Sequence, residues 1–303
     1  MRLTSPNEIK ALMERHGLRF SKGLGQNFLI EPSVPRRIAE AGCEGSPEGL
    51  AVLEIGPGIG CLTVELAERA EHVAAVELDR MLLPVLAETL AGCPNAEVVQ
   101  GDALKTDLAA LLREKCPGMR YRVCANLPYN VTTPLLAKFI DAGIFEQITV
   151  MIQREVALRL TAAPGTPDYG AFSLYLNWHC EAERLFDVPP SCFMPQPKVT
   201  SSVIRLTPRN APPCRCADEA FMFRCVRAAF SQRRKTLANA LANGLAIPRG
   251  AAAAAIEAQH EIPGRVDMGA ATRRRWRGFS RRINLECVMP QFLRNCGRGD
   301  IRG

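Results

Sequence analysis

The segment 50-LAVLEIGPGIGCLTVELAERA-70 reads as a strand, a glycine-rich loop and a helix. Its first six residues form an apolar run of strand length, and the residues after the loop carry apolar side chains at helical spacing. Gly56, Gly58 and Gly60 lie between them in a GxGxG spacing, which differs from the GxGxxG of dinucleotide-binding enzymes. Such glycines let the backbone approach a ligand closely. The segment therefore predicts a β–α unit with a ligand-binding loop, and a plain strand-to-helix turn is the alternative for the loop taken alone.

The alternation of strand and helix continues along the chain. Helical patterns separate further strand-like runs, which occupy residues 72–79, 96–104, 121–129 and 147–153. A rhythm of this kind predicts an α/β, Rossmann-like fold in which a parallel sheet carries helices on both faces. Ligands of such sheets bind at the carboxyl ends of the strands.

The C-terminal half of the chain has a different composition. Residues 171–180 and 198–206 read as two more strands, and residues 208–214 read as a linker that is followed by helical patterns. The sequence thus predicts three parts: a Rossmann-like domain over 1–207, a small helical domain over 215–263 and an atypical Arg-rich tail over 264–303.

Acidic residues follow two neighbouring strands of the predicted sheet. Glu77 lies at the end of the second strand, 21 positions after Gly56, where a carboxylate can accept both hydroxyls of a ribose. Asp102 lies at the end of the third strand and could accept a hydrogen bond from an adenine amino group. Each acid alone is also compatible with a solvated loop. Together they predict a site for an adenosine moiety, which NAD and S-adenosylmethionine both contain.

The turn Asn126-Leu127-Pro128-Tyr129 follows the fourth strand and discriminates between those cofactors. The lone pair of an exocyclic adenine nitrogen is delocalised into its ring. The Asn126 side-chain oxygen and the Leu127 carbonyl could hold the amino hydrogens, Pro128 would stiffen the turn, and Tyr129 would stack on the base. Hydride transfer needs no such turn, so the pattern favours methylation of a base amine with S-adenosylmethionine. An ordinary turn is the alternative.

These motifs occur in the order found in a known family. The chain resembles the bacterial small-subunit (16S) rRNA adenine N6,N6-dimethyltransferases over about residues 7–260, through Gln26-Asn27-Phe28-Leu29, EIGPGIG, Glu77, Asp102, NLPY and FMPQPKVTSS at 193–202. The resemblance implies transfer of methyl groups from S-adenosylmethionine to N6 of two adjacent adenosines, in a hairpin near the 3′ end of 16S rRNA. It also implies action on a precursor of the small ribosomal subunit, and we expect a monomer.

The resemblance assigns roles to individual residues as well. Gln26, Asn27 and Leu29 are expected to close over the cofactor from the N-terminal segment. Gly56 would contact the cofactor through its backbone, Glu77 and Asp102 would bind its adenosine, and Asn126 would lie between cofactor and target base. Phe193 is expected to stack on the flipped adenine opposite Tyr129, and Pro195 and Pro197 suggest that it lies in a rigid surface loop.

Four basic residues are candidates for contacts with RNA phosphates: Lys198, Arg233, Arg234 and Lys235. The alternative for the last three is a solvated helix start. Whole-chain charge adds no support, although the net charge is +7. Residues 264–303 contain ten Arg and three acids, and the rest of the chain carries 28 basic and 28 acidic residues.

The twelve cysteines are scattered and include no C-x-x-C pair, which predicts reduced thiols in the cytoplasm and no metal site. No apolar run reaches membrane-spanning length, and the N-terminus lacks the apolar region of a secretory signal. The Arg-rich tail, 264–303, departs from the family, which usually ends in an amphipathic helix. Two hypotheses fit it: a basic tail that binds rRNA, or a shift of reading frame near residue 272.

Three other functions remain open at this stage. An erythromycin-resistance type methylase dimethylates one adenosine of 23S rRNA, but its motif is usually NIPY or NIPF. The chain could also act mainly as a binding factor in ribosome assembly. A nicotinamide-dependent oxidoreductase is the third alternative.

Overall fold

The computed structural model describes residues 2–18, 26–216, 218–232 and 235–257. The chain divides into two compact units. The first contains the described residues of Met1–Ala157 and Glu181–Pro208, and the second contains Leu158–Cys180 and the described residues from Arg209 onward. The Arg-rich tail lies outside the described residues, so both hypotheses about it stay predictions.

The first unit is built on a mixed sheet of seven strands among the described residues. The strands of the chain are β1 (Phe28–Leu29), β2 (Leu50–Ile55), β3 (His72–Glu77), β4 (Ala96–Gln100), β5 (Arg120–Asn126), β6 (Phe145–Gln153), β7 (Cys180–Val188), β8 (Phe193–Met194) and β9 (Ser201–Pro208). The order in the sheet is β4-β3-β2-β5-β6-β9-β7, and β1 pairs separately with β8. Strands β2 to β6 run parallel and β9 is antiparallel to β6, so the predicted α/β fold is confirmed.

Helices connect the parallel strands. The helices of both units are α1 (Pro6–Arg15), α2 (Ser33–Gly42), α3 (Cys61–Ala67), α4 (Leu83–Thr89), α5 (Leu108–Lys115), α6 (Thr132–Ala142), α7 (Arg154–Leu160), α8 (Ala171–His179), α9 (Glu219–Ser231), α10 (Leu237–Leu245) and α11 (Arg249–Glu257). Val34 and Ile38 of α2 pack with Val52 of β2, and this apolar contact stabilises the first unit.

Strand β2 fixes the position of the ligand site. All six of its residues are buried, as expected for a central parallel strand covered on both faces. The chain passes from β2 to β3 and β4 on one side and then crosses to β5 and β6 on the other side. The strand order therefore reverses at β2, and a crevice opens at the carboxyl end of such a reversal.

The strand predicted at 171–180 is wrong, because Ala171–His179 forms helix α8 and β7 begins only at Cys180. An apolar run of this length fits either a buried strand or a buried helix. Leu174 and Trp178, four positions apart, pack on one side of the helix against Met222 of α9. For the same reason residues 158–180 pack with the C-terminal helices, whereas the sequence-based boundary had placed them in the domain 1–207.

The second unit depends on a close approach between α9 and α10. A Cβ atom on Gly244 would lie 2.4 Å from the Cβ of Ala228 and 2.8 Å from its Cα. Gly250 of α11 offers a contrast, because a Cβ atom there would meet nothing within 4 Å. Close packing of the α9 and α10 backbones therefore requires a glycine at position 244, whereas no such contact requires one at position 250.

We predict that Gly244→Ala destabilises the protein by about 1–3 kcal/mol, because the added methyl group must push α10 away from α9. Gly250→Ala is the matched control and should be neutral or stabilising by up to about 1 kcal/mol, because alanine favours a helix. Urea unfolding of both variants measures these changes. Equal effects at the two positions would contradict the contact between α9 and α10.

Candidate active site

A cleft lies at the carboxyl ends of β2, β3 and β5 in the first unit. It brings together all the residues that the sequence proposed for cofactor and base: Gln26, Asn27, Leu29, Gly56, Glu77, Asp102, Asn126, Leu127, Pro128, Tyr129 and Phe193. These residues come from distant parts of the sequence, and the strand reversal at β2 places them around one crevice.

The glycines of the glycine-rich loop have backbone φ angles that other residues rarely adopt. Gly56, Gly58 and Gly60 have φ angles of +67°, +63° and +91°. A Cβ atom on Gly60 would lie 3.1 Å from a methyl carbon of Leu90, and one on Gly58 would lie 3.1 Å from the ring of Phe28. A Cβ atom on Gly56 would meet nothing within 4 Å, so the backbone there is accessible to a ligand in the cleft.

Glu77 is held firmly beside this loop. One carboxylate oxygen accepts the Gly58 N–H at 3.3 Å, and the other accepts the Asp79 N–H at 2.8 Å. The residue is only 6% exposed, and burial raises the pKa of Glu77 while these backbone hydrogen bonds oppose the rise. Each carboxylate oxygen has a second lone pair, so Glu77 can still accept the hydroxyls of a ribose.

Asp102 marks the neighbouring edge of the cleft. One oxygen accepts the Leu104 N–H at 3.0 Å, and the other lies 3.6 Å from the Lys105 ammonium. Two apolar side chains lie beside the acids and are unusually exposed, Leu78 at 51% and Leu104 at 38%. Exposed leucines in a cleft suit the faces of a flat apolar ring. The sequence analysis missed both, although each follows one of the acids within two positions.

Glu54 is a further cleft residue that the sequence analysis missed. It is almost completely buried, and one of its oxygens accepts the Thr63 hydroxyl at 2.7 Å. Burial raises the pKa of Glu54 to about 8, the bond from Thr63 opposes this rise, and the charge of Glu77 adds to it. The available signal was an acid inside the otherwise apolar run of β2.

The Asn126-Tyr129 turn is rigid. Asn126 ends β5 opposite Met151 of β6, and the Leu127 N–H donates to the Met151 carbonyl at 3.1 Å. The Pro128 carbonyl accepts hydrogen bonds from the next short helical turn, Tyr129–Val131, and from the helix after it, both at 3.2 Å. The turn is therefore tied both to the sheet and to the start of α6.

Tyr129 is half-buried, and its hydroxyl lies 2.7 Å from the Ser201 hydroxyl. Burial raises the pKa of Tyr129, and the hydrogen bond with Ser201 opposes that rise. The phenol is therefore a neutral, anchored aromatic group at the wall of the cleft.

Phe193 is not at the surface, so that expectation is wrong. Its exposed fraction is 3%, because β8 pairs with β1 and sets Phe193 opposite Leu29. The backbone of Ile30 extends this contact by donating to the Cys192 carbonyl at 2.8 Å. Phe193 nevertheless lines the cleft, so its ring is part of the wall that a ligand would meet.

The N-terminal segment contacts the loop that follows β3 at the edge of the cleft. The Gln26 amide donates to the Asp79 carboxylate at 2.8 Å, in the loop that follows β3. Helix α1 is anchored nearby, because Ile9 and Leu12 pack in the same apolar cluster as Leu86 of α4. The bond to Asp79 places Gln26 beside the loop after β3, and Asn27 lines the same cleft.

Two of the four candidate RNA contacts lie among the described residues. Lys198 is exposed in the first unit, and Lys235 is exposed in the second unit just before α10. Arg233 and Arg234 lie outside the described residues. Among the residues that the structure describes, no cluster of His, Cys, Asp or Glu could hold a metal ion, and no helix is long and apolar enough to span a membrane.

Comparison with known proteins gives one consistent result. The model of the ribosomal RNA adenine dimethylase family matches residues 17–272. The ribosomal RNA small subunit methyltransferase A of Alkaliphilus oremlandii (strain OhILAs) is 47% identical over 244 residues, which is 80% of this chain and 84% of that protein. The protein of the same name from Geobacillus thermodenitrificans (strain NG80-2) is 46% identical over 245 residues, which is 80% of this chain and 83% of its own length.

Two solved structures resemble the chain over most of its length. The 23S rRNA methyltransferase ErmE is 29% identical with a TM-score of 0.61, covering 88% of this chain and 99% of that chain. A dimethyladenosine transferase from Plasmodium falciparum is 25% identical with a TM-score of 0.65, covering 89% of this chain and 97% of that chain.

We predict that Glu54→Gln removes a pH dependence of stability. Because the folded-state pKa of Glu54 is about 8 and its ordinary value is 4.5, the folded protein keeps a proton that the unfolded chain releases between these values. Wild-type stability contributed by this group is complete below pH 4.5 and is lost as the pH rises through about 8. The loss is on the order of 3–5 kcal/mol.

The measurement is the free energy of urea unfolding from pH 5 to pH 9, without cofactor. Glu54→Gln should gain stability relative to wild type as the pH rises, whereas the exposed Glu114→Gln, the control, should stay parallel to wild type. A constant difference between Glu54→Gln and wild type over this range would show that the buried carboxyl is already ionised at low pH.

Proposed function

The chain belongs to the ribosomal RNA adenine dimethylase family, and we propose that it modifies two adjacent adenosines in a hairpin near the 3′ end of 16S rRNA. As a member of that family it is an enzyme that transfers methyl groups from S-adenosylmethionine to N6 of adenosine in ribosomal RNA. The observation that carries the proposal is the rigid Asn126-Tyr129 turn beside a cleft suited to an adenosine.

The residues of the cleft fit S-adenosylmethionine. Gly56 offers an accessible backbone, Glu77 fixed acceptor oxygens, and Asp102 an acceptor at the neighbouring edge. Leu78 and Leu104 would cover the faces of the adenine ring. Gln26, Asn27 and Leu29 would close over the cofactor from the N-terminal side, which the bond from Gln26 to Asp79 supports. The cofactor, when bound, supplies an electrophilic methyl group on a positively charged sulfur.

The turn is suited to orient the target amine. The Asn126 side-chain oxygen and the Leu127 carbonyl would each accept one amino hydrogen of adenine N6 and so direct its lone pair. The adenine amine can attack the methyl group without first losing a proton to a strong base. The rate therefore depends mainly on how the amine and the methyl group are positioned. A rigid turn suits this demand, because it removes the motions that would misalign the amine.

Aromatic side chains would hold the base after it leaves its helix. Tyr129 and Phe193 both line the cleft, and we assign them to the two faces of the flipped adenine. Phe193 is buried between β1 and the sheet, so it is a fixed wall for the base. Lys198, Arg233, Arg234 and Lys235 are proposed to bind RNA phosphates.

The 16S substrate is favoured over 23S rRNA by sequence similarity. The relatives named small subunit methyltransferase A share far more identity with this chain than ErmE does. We further propose that the chain acts as a monomer on a precursor of the small subunit in the cytoplasm. Cys43, Cys116 and Cys124 are buried free thiols, which a reducing compartment would maintain.

We predict that Asn126→Ala lowers methyl transfer on the order of 100-fold or more, because the amine loses an acceptor that positions it. Asn130→Ala is the matched control, since Asn130 is an exposed amide in the short helical turn Tyr129–Val131 that follows. The measurement maps methylated adenosines in rRNA from a strain that lacks its own enzyme and carries each variant.

Wild type and Asn130→Ala should restore dimethylation at two adjacent 16S adenosines, and Asn126→Ala should not. Methylation in 23S rRNA would contradict the proposed substrate. Full restoration of subunit maturation by the inactive Asn126→Ala variant would support a main role as an assembly factor.

We predict that Tyr129→Ala weakens productive binding of the target base by roughly 10- to 100-fold, because one stacking face is lost. Affinity for S-adenosylmethionine should stay close to that of wild type. Titration with the cofactor and methylation kinetics on under-methylated small-subunit particles separate the two effects. Parallel loss of cofactor affinity would mean that Tyr129 serves the cofactor and not the base.

A further inference from the structure

The hydroxyl of Tyr129 is engaged by the protein itself. It lies 2.7 Å from the Ser201 hydroxyl, and Ser201 is completely buried at the start of β9. The phenol oxygen therefore has a partner on the sheet before any substrate arrives. The ring face, and not the hydroxyl, is what Tyr129 can offer to a base in the cleft.

Ser201 is a fixed point because its backbone belongs to the sheet. It lies opposite Gln153 in the antiparallel ladder between β6 and β9. The preceding residue, Thr200, accepts the Arg154 N–H through its carbonyl at 2.9 Å. The Ser201 side chain is also completely buried, so its oxygen holds a defined position.

The geometry of a tyrosine determines what this bond can do. The hydroxyl lies on the axis of rotation about the Cβ–Cγ bond. A hydrogen bond there therefore fixes the direction of the side chain, whereas contacts with neighbouring atoms set the rotation of the ring about that axis. Without the bond, Tyr129 could rotate about its Cα–Cβ bond into other staggered positions. In the observed position the ring lines the cleft.

We propose that Ser201 is a positioning residue for methyl transfer, which holds the side chain of Tyr129 at the wall of the cleft, where its ring can stack on the target adenine. The inference rests on the proposed function. Ser201 contacts neither cofactor nor base in this scheme and acts through Tyr129. The serine at the end of the FMPQPKVTSS segment thereby links that motif to the NLPY turn.

The test is a double-mutant cycle with Tyr129→Phe, Ser201→Ala and the double variant. Each single change removes the same hydrogen bond and should lower kcat/KM for methylation of under-methylated small-subunit particles by about 3- to 10-fold. The double variant should be no worse than either single variant, because the bond can be lost only once. Affinity for S-adenosylmethionine should stay within about twofold of wild type in all three.

Two control variants show what a purely structural loss would do. Tyr121 lies on the same strand as Asn126, and its hydroxyl donates to the Cys116 carbonyl at 2.9 Å. Tyr121→Phe removes this hydrogen bond. Ser202→Ala removes the neighbouring buried hydroxyl, which donates to Asp187 at 2.5 Å. Both should lower the unfolding temperature about as much as Ser201→Ala and keep kcat/KM within about twofold of wild type.

The outcomes are distinct. Losses in the two single variants that multiply in the double variant would overturn the assignment, because the two hydroxyls would then act separately. Unchanged kcat/KM in Ser201→Ala, or an equal loss in Ser202→Ala, would overturn it as well. No methyl transfer by the wild-type protein would overturn the proposed function, and the assignment with it.

Discussion

The reversal of strand order at β2 is the constraint on which the rest of the structure depends. Parallel strands on both sides of β2 end at the same edge, so the loops after β2, β3 and β5 must meet there. The backbone N–H of Gly58 and that of Asp79 belong to two of those loops, and both donate to the one carboxylate of Glu77. A single buried acid thus joins the two loops on the cofactor side of the cleft.

The parts of this arrangement that could be predicted are those with a local signal. Strand–helix alternation gives the sheet, and a polar residue at each strand end gives Glu77, Asp102 and Asn126. Helix α8 and the burial of Phe193 could not be predicted in this way. Each depends on a partner far along the chain, Met222 for Trp178 and Leu29 for Phe193, and residue patterns do not report such pairings.

Two buried carboxyl groups give the cleft its electrostatic character. Burial raises the pKa of both carboxyl groups, and the charge of Glu77 raises the pKa of Glu54 further. A positively charged ligand close to these groups would lower the cost of ionising them. A sulfonium cofactor meets this condition, and the neutral product that remains after methyl transfer meets it less well.

Strand β9 links the base side of the cleft to the sheet. Its first two residues are adjacent serines whose side chains leave opposite faces of the strand. Ser201 bonds Tyr129, whereas Ser202 bonds Asp187, which also forms ion pairs with Arg154 and Arg184. A slip of β9 by one residue would exchange the two faces and release both contacts. The ladder between β6 and β9 therefore controls the position of the Tyr129 ring, which is why a segment so far from the NLPY turn in sequence forms part of the same site.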